Sequence, residues 1–129
     1  MQTQRIYDVF VTDQNREIII EERSVDLDSA KRIMRDYPWQ DNPKSYAQIW
    51  KQKTRYSLSV HYMASEKKFH VGFTDKASVF KLPLPYIGAK YGILNDIDEI
   101  HEPLRLFFEG EFEKLEQFLE QRRPRQKGD

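Results

Sequence analysis

Residues 56–74 read YSLSVHYMASEKKFHVGFT, and this stretch decides the fold of the chain. Apolar side chains alternate along its two halves, at Leu58, Val60 and Tyr62 and then at Phe69, Val71 and Phe73. Alternation with a period of two is typical of strands that bury one face. The two apolar sets coincide when Tyr62 lies opposite Phe69 around a two-residue turn at Ser65 and Glu66. The sequence therefore predicts an antiparallel hairpin with this register.

The segments outside the hairpin predict further elements through their apolar spacing and turn residues. The expected elements are strands over 5–12, 17–22, 78–82 and 104–108 and helices over 26–37, 42–53 and 110–121. We expect Ile18–Ile20 to be covered on both faces, Asp26 to cap the first helix, and Tyr46 and Trp50 to be core residues of the second. The predicted fold is therefore α+β, with a mostly antiparallel sheet of five or six strands and about three helices packed on one face or end.

The composition limits the classes of protein to which the chain can belong. It has 129 residues, and eight Phe, seven Tyr and two Trp provide the bulk for a hydrophobic core. We expect a single α+β domain over 1–121 and a basic, disordered tail over 122–129. Because there is no cysteine, disulfides, thiolate catalysis and cysteine-ligated zinc are excluded. No signal peptide or membrane-spanning apolar run is visible, so we expect a soluble, cytoplasmic protein.

Charge is sorted along the chain, although the total is zero. Residues 44–90 carry nine basic and two acidic side chains, a balance of +7, and residues 95–120 carry two basic and nine acidic side chains, a balance of −7. Such blocks can attract partners of either sign. Glu109, Glu111 and Glu113 lie at the predicted start of the last helix, where carboxylates complement the helix dipole, and Glu116 and Glu120 continue its exposed face. The remaining four acidic residues of the block lie in residues 96–102.

Two histidines lie opposite each other in the predicted hairpin, on the face that does not carry the apolar set. His61 and His70 could bind a metal together with a carboxylate, or one of them could act as an acid or base near neutral pH. Alternatively, both only form hydrogen bonds on a polar sheet face. We favour this alternative, because no acidic residue of the hairpin points to the same face. We therefore predict no metal and no other cofactor.

Residues 96–102 read DIDEIHE, a dense set of oxygen ligands with one imidazole. Calcium or magnesium would accept such ligands, but the segment lacks the glycine and the twelve-residue order of an EF-hand. We therefore interpret it as a solvated loop. The chain also has no Gly-x-Ser-x-Gly motif and no glycine-rich loop that could bind phosphate. The sequence thus favours a protein that is not an enzyme.

The first functional hypothesis is a non-catalytic protein-binding module. We expect an antitoxin or immunity-type inhibitor that neutralises a bacterial toxin by occluding its active cleft. Acidic side chains on such an inhibitor would imitate substrate phosphates and speed association with a basic cleft, and tyrosines suit a partly wet interface. The expected contact residues are Asp96, Asp98, Glu99, Glu102, Glu109, Glu111, Tyr86 and Tyr91.

Two other hypotheses remain open from the sequence. The second hypothesis is a small nucleic-acid-binding regulator or accessory protein. The basic segment 44–90 interleaves cations with aromatic rings, the combination with which proteins hold single-stranded nucleic acid. The hairpin register, however, assigns Tyr62, Phe69 and Phe73 to the core, which leaves fewer rings for stacking. The third hypothesis is self-assembly, in which the +7 block of one copy meets the −7 block of another. We expect a monomer or a weak homo-oligomer and no membrane partner.

Overall fold

The protein is described by a computed structural model over residues 6–74 and 90–123. The strands are β1 (Tyr7–Thr12), β2 (Ile18–Val25), β3 (Tyr46–Lys51), β4 (Ser57–Met63), β5 (Lys68–Thr74) and β6 (Lys90–Leu94). The helices are α1 (Leu27–Asp36), α2 (His101–Phe108) and α3 (Phe112–Gln121), and a short 3-10 helix, Ile97–Ile100, leads into α2. The fold is α+β, as predicted.

All six strands form one antiparallel sheet in the order β2-β1-β3-β4-β5-β6. The predicted hairpin consists of β4 and β5, and its register is confirmed. Tyr62 lies opposite Phe69, and His61 lies opposite His70. The coincidence of two apolar faces was therefore sufficient to align these strands.

The connection between β4 and β5 is longer than predicted. Pairing stops at Met63 and Lys68, and the four residues between them form the turn. A two-residue turn at Ser65 and Glu66 would have required positive φ angles, which neither residue adopts. Instead Lys67 takes the left-handed conformation, with φ of 57°.

The helix predicted over 42–53 is wrong, because β3 occupies this segment. Its apolar residues fit helical spacing, yet Ala47 and Ile49 also alternate, and both are fully buried. The strand is favoured because β3 pairs with β1 on one side and with β4 on the other, which provides partners for its backbone. Tyr46 and Trp50, predicted to be core residues, are only partly buried, and they lie on the face that Ala47 and Ile49 do not occupy.

The strand predicted over 104–108 is also wrong, because these residues belong to α2. Arg105 accounts for the difference, since it donates hydrogen bonds to Glu102, about one turn before it, and to Glu109, about one turn after it. Ion pairs at these spacings support a helix. Pro103 is compatible with α2 because it lies in the first turn, where its missing N–H is not required.

The first and last predicted helices are confirmed. The side chain of Asp26 caps α1 by accepting a hydrogen bond of 2.8 Å from the backbone N–H of Ser29. In α3, Leu115 and Leu119 are fully buried, as their spacing predicted. The predicted strand over 78–82 lies outside the described residues.

The predicted N-terminal hairpin consists of β1 and β2, but β2 contains a bulge. Val11 lies opposite Ile20 and Thr12 lies opposite Ile18, so that Ile19 has no opposite residue. Ile18 and Ile19 are 56% and 47% exposed. The prediction that both faces are covered here is therefore wrong, because β2 is an edge strand whose pairing the bulge interrupts.

All three helices pack against one face of the sheet, which we call the helix face. Its fully buried side chains include Val9, Ile49, Leu58, Val60 and Val71 from the strands and Met34, Leu104, Phe107, Leu115 and Leu119 from the helices. Tyr7 joins β1 to the end of α2, because its hydroxyl lies 3.2 Å from the carbonyl oxygens of both Phe107 and Phe108. Burial raises the pKa of Tyr7 to about 12.

The residues that follow α3 cover the edge strand β6. The backbone N–H of Ile93 donates a hydrogen bond of 2.9 Å to the carbonyl oxygen of Arg122. Gly92 permits this approach, because a Cβ there would lie 2.5 Å from the carbonyl oxygen of Leu119. Among the described strands none pairs with the outer side of β2, so we call β6 the covered edge of the sheet and β2 the open edge.

The tail predicted over 122–129 thus begins with contacts to β6. The guanidinium of Arg123 lies 4.8 Å from the centroid of the Tyr91 ring, a distance that allows a cation–π interaction. Residues 124–129 lie outside the described part of the chain. Among the residues that are described, no helix is long and apolar enough to cross a membrane.

Candidate functional site

The structure divides the predicted contact residues between the two ends of the sheet. At the hairpin end, where the β4–β5 turn lies, β6 also ends, because Leu94 is opposite Phe69. At the opposite end the α2–α3 turn lies near the start of β4, since the rings of Phe112 and Tyr56 are 4.3 Å apart. Asp96, Asp98, Glu99 and Glu102 follow β6 at the hairpin end, whereas Glu109 and Glu111 lie at the opposite end. The six predicted carboxylates therefore do not form one surface.

Three of these carboxylates lie together on the 3-10 helix, and we call Asp96, Asp98 and Glu99 the acidic turn. The Asp96 side chain accepts a hydrogen bond of 3.3 Å from the backbone N–H of Asp98, and its carbonyl oxygen accepts one of 3.0 Å from Glu99. These bonds fix the backbone of the turn. Asp96 and Asp98 are exposed and Glu99 is partly exposed. Within the described ranges none of the three forms an ion pair.

The other predicted acidic residues already have partners in the chain. Arg105 binds Glu102 through contacts of 3.1 and 2.6 Å and Glu109 through a contact of 2.8 Å. The hydrogen bond from Arg105 lowers the pKa of Glu102. Glu111 lies 3.6 Å from the ammonium group of Lys114. These three carboxylates are therefore less available to a binding partner than the acidic turn is.

A cleft of about 500 Å³ lies beside the acidic turn. It is formed by the end of α1, the β4–β5 hairpin and the residues after β6. Its aromatic lining, each ring less than a tenth exposed, consists of Tyr37, Trp39, Tyr62 and Phe69. The charged residues that line it are Arg35, Asp41, Lys67 and Asp96. The cleft thus combines an aromatic floor with a rim of both charges.

The floor of the cleft is fixed by contacts among its own residues. Trp39 packs edge-on against Tyr37 and Phe69, with ring centroids 4.8 and 5.8 Å apart. The indole N–H of Trp39 donates to the carbonyl oxygen of Met34 at 2.8 Å, and the hydroxyl of Tyr37 donates to Ser45 at 2.7 Å. These contacts hold the floor in place, and because its rings are less than a tenth exposed, most of the surface that the cleft offers to a ligand is polar.

Tyr91 and the histidine pair lie on the face of the sheet opposite the helices. The rings of His70 and Tyr91 stack with centroids 4.7 Å apart and an interplanar angle of 12°. Tyr91 also contacts Arg123, so its ring is engaged on the covered edge and not with the acidic turn. Tyr86, the other predicted contact residue, lies outside the described residues.

Burial shifts both histidines of the pair toward the neutral form. Burial lowers the pKa of His61, and it lowers the pKa of His70 to about 4, with the charge of His61 acting in the same direction. The Nδ1 atom of His61 is buried and has no hydrogen-bond partner. Neutral imidazoles can bind metals, but in the described part of the chain no third His, Asp or Glu joins them in a group that could hold an ion.

The basic block is also divided by the fold. Of its described cations, Lys44, Lys67 and Lys68 lie at the hairpin end, and Lys51, Lys53, Arg55 and Lys90 lie at the opposite end. Each end also carries carboxylates. Nucleic-acid sites are typically basic patches or stripes, and the fold divides these cations between the two ends of the sheet.

Nothing in the sequence indicates the cleft. Arg35, Trp39 and Lys67 come from three segments that only the packing of α1 against the sheet brings together. Helical spacing assigned the residues up to Tyr37 to α1, and nothing local distinguished Trp39 from a linker residue. Only Asp96 was predicted as a contact residue and also lines the cleft.

Comparisons with known proteins leave the function to be argued from this arrangement. No family model matches the chain, and neither a curated protein nor a solved structure matches it.

Proposed function

We propose that the protein binds another protein at the hairpin end of its sheet, through the acidic turn and the adjacent cleft. We further propose that it acts in the cytoplasm as an immunity-type inhibitor, which occludes the active cleft of a toxin. Both statements concern binding and require no catalytic group.

The observation that carries this proposal is the acidic turn. Asp96, Asp98 and Glu99 place three carboxylates within four consecutive residues, on a backbone that hydrogen bonds hold in place. Within the described ranges none of the three forms an ion pair, so a basic partner would supply the countercharge. Fixed negative charge also steers a basic surface toward productive encounters and raises the association rate.

The cleft supports the proposal by supplying a concave, mostly polar surface beside the acidic turn. Side chains that anchor protein complexes commonly insert into well-packed pockets, and charged contacts at the rim add specificity. Here the aromatic floor is rigid, and Asp41 and Asp96 lie among its lining residues. We therefore expect the partner to insert a long basic side chain whose stem contacts Trp39 and whose charge reaches these carboxylates.

The proposal is tested by charge reversal at the two ends of the sheet. The partner is first isolated on the immobilised chain and identified, and binding is then measured by surface plasmon resonance at two salt concentrations. For the double variant Asp98→Lys/Glu99→Lys we expect an association rate lower by about tenfold or more and a weaker dependence on salt.

The matched control is the double variant Glu111→Lys/Glu113→Lys, which makes the same change in net charge at the opposite end. We expect its association rate and salt dependence to remain close to those of the unmodified chain. Equal losses in the two double variants would show that only net charge matters. A loss confined to the control would place the contact at the opposite end and contradict the proposal.

A further inference from the structure

The face of the sheet opposite the helices, which we call the outer face, has a buried region. Ser57, Ser59 and Thr74 lie there and are exposed at only 1%, 4% and 5%. All three helices pack against the helix face, so within the described residues no helix covers these side chains. Neighbouring strands shield the flanks of a serine in a sheet, but its hydroxyl stays accessible unless a further layer lies above it. The burial therefore requires a covering segment.

The burial changes along β4 and β5. At the end where β5 finishes, Ser57 lies opposite Thr74, and both are buried. His61 and His70, four residues away along each strand, are partly buried. At the hairpin end, Lys68 is exposed. The cover thus lies over the end of the sheet at which the chain leaves β5, and it ends before the β4–β5 turn.

The chain between β5 and β6 is longer than its ends require. Phe73 lies opposite Lys90, so β5 and β6 are adjacent, and adjacent antiparallel strands are commonly joined by roughly two to five residues. Here residues 75–89 lie between them. Half of this segment, when extended, reaches about 23 Å, whereas β1 lies three strand spacings, about 14 Å, from β5. The segment is therefore long enough to cross the outer face and return.

The composition of this segment suits a cover for a sheet face. Residues 75–89 read DKASVFKLPLPYIGA and carry six large apolar side chains. The other residues outside the described ranges, 1–5 and 124–129, are almost entirely polar. On the outer face, Tyr46 and Trp50 are partly buried and provide apolar contact area. Packing against these rings would remove apolar side chains of the segment from water, which is favourable.

We propose that residues 75–89 of the same chain cover the outer face where β5 ends. The exposures above are those of one isolated chain, so the cover belongs to the chain itself and not to a second copy. Ser59, His70 and Thr74 each take part in a further interaction, which supports a partner for this face. Burial is greatest beside Thr74, the residue after which the segment begins.

The outer face is then part of the packed interior and not a stacking platform for nucleic acid, even though Tyr46 and Trp50 lie on it. This inference is independent of the proposed function. The acidic turn lies at the hairpin end, beyond the region that the segment covers, and the experiments below do not change it.

Because the chain has no cysteine, an introduced thiol reports the accessibility of one position. In the full chain, Ser59→Cys should react with iodoacetamide at least about 100-fold more slowly than Gln14→Cys, which is exposed in the β1–β2 turn. When residues 76–88 are replaced by glycine and serine at equal length, the two rates should agree within about tenfold. Ala47→Cys, buried on the helix face, should stay protected in both chains and so shows that the altered chain remains folded.

A second measurement keeps the segment intact. Ser59→Cys is combined with a second cysteine placed in turn at each position from 79 to 87, and each double variant is oxidised at low protein concentration. A disulfide requires Cα atoms within about 7 Å. We therefore expect at least one disulfide within a single chain, and none when Gln14→Cys replaces Ser59→Cys as the partner.

Three results would overturn the proposal. The first is fast reaction of Ser59→Cys in the full chain, and the second is continued protection of this thiol in a folded chain that lacks residues 76–88. The third is a scan that yields no disulfide within one chain. Disulfides that link only two copies belong to this third result, and they would assign the outer face to a second copy instead.

Discussion

The two edges of the sheet are protected by different means. At the covered edge, Arg122 accepts the hydrogen bond of Ile93, and Gly92 admits the backbone of α3 at Leu119. At the open edge, β2 has charged side chains and a bulge, and Ile19 remains exposed. The covered edge depends on contacts between distant parts of the chain, whereas the open edge depends on residues that are neighbours in sequence. We therefore expect mutations at the covered edge to cost more stability than mutations at the open edge.

The largest difference is expected between Gly92→Ala and Ile19→Ala. A Cβ at Gly92 would lie 2.5 Å from the carbonyl oxygen of Leu119, so α3 or β6 has to move. We expect Gly92→Ala to lower the free energy of unfolding by about 2–3 kcal/mol. Ile19→Ala, which shortens an exposed side chain, should change it by less than about 0.5 kcal/mol. Urea unfolding at low micromolar concentration measures both, and similar losses would contradict the contrast between the edges.

Acid is expected to weaken the sheet next to the covered edge. Burial lowers the pKa of His70 to about 4, so between pH 6.5 and pH 4 the unfolded chain binds a proton that the folded chain does not. The stabilising contribution is complete above pH 6.5 and is lost as the pH falls through this window. After allowance for partial solvent exposure, we expect a loss of about 2 kcal/mol between pH 7 and pH 4.5.

The contribution of His70 can be separated from that of other groups by substitution. His70→Gln should show a smaller loss of stability between the two pH values than the unmodified chain in urea unfolding. His101→Gln, which replaces an exposed histidine on α2, should retain the full loss. If the two variants respond to pH in the same way, the titrating group is not His70.

The smallest effects are expected from one arginine at each edge. Arg123 lies 4.8 Å from the Tyr91 centroid at the covered edge, and Arg23 lies 5.3 Å from the Phe10 centroid at the open edge. Each alanine substitution should cost about 0.5–1 kcal/mol. Hydrogen exchange distinguishes them, because Arg123→Ala should speed exchange in β6 alone and Arg23→Ala in β2 alone. Faster exchange in the same strand for both variants would remove the distinction.

How far the sequence predicts this fold depends on whether the decisive contacts are local. The β4–β5 register followed from two alternating patterns that agree in only one alignment. The segment that forms β3 satisfied helical and strand spacing alike, and only its position between β1 and β4 selects the strand. For α2 a usable signal was present, because Glu102, Arg105 and Glu109 have helical spacing. It was outweighed by the strand-like composition of 104–108.

The candidate site was predictable only in part, for the same reason. The acidic turn is continuous in sequence, so Asp98 and Glu99 could be named as contact residues before the structure was considered. The cleft could not, because it requires α1, the β4–β5 hairpin and the end of β6 to meet. The two charge blocks of the sequence do not correspond to two surfaces of the fold. The chain reverses direction between antiparallel strands, so charges that are close in sequence lie at opposite ends of the sheet.

The order in which the ribosome synthesises the chain determines when the contact between Ile93 and Arg122 can form. Strand β6 is synthesised before α3, so the partner that its outer edge finds among the described residues is missing until residues 119–122 have been translated. Chains fold from the N-terminus as they emerge, and an unpaired strand is a point of aggregation during that interval. A nascent chain arrested before Leu119 would therefore present two open edges, and only the release of the last helix reduces them to one.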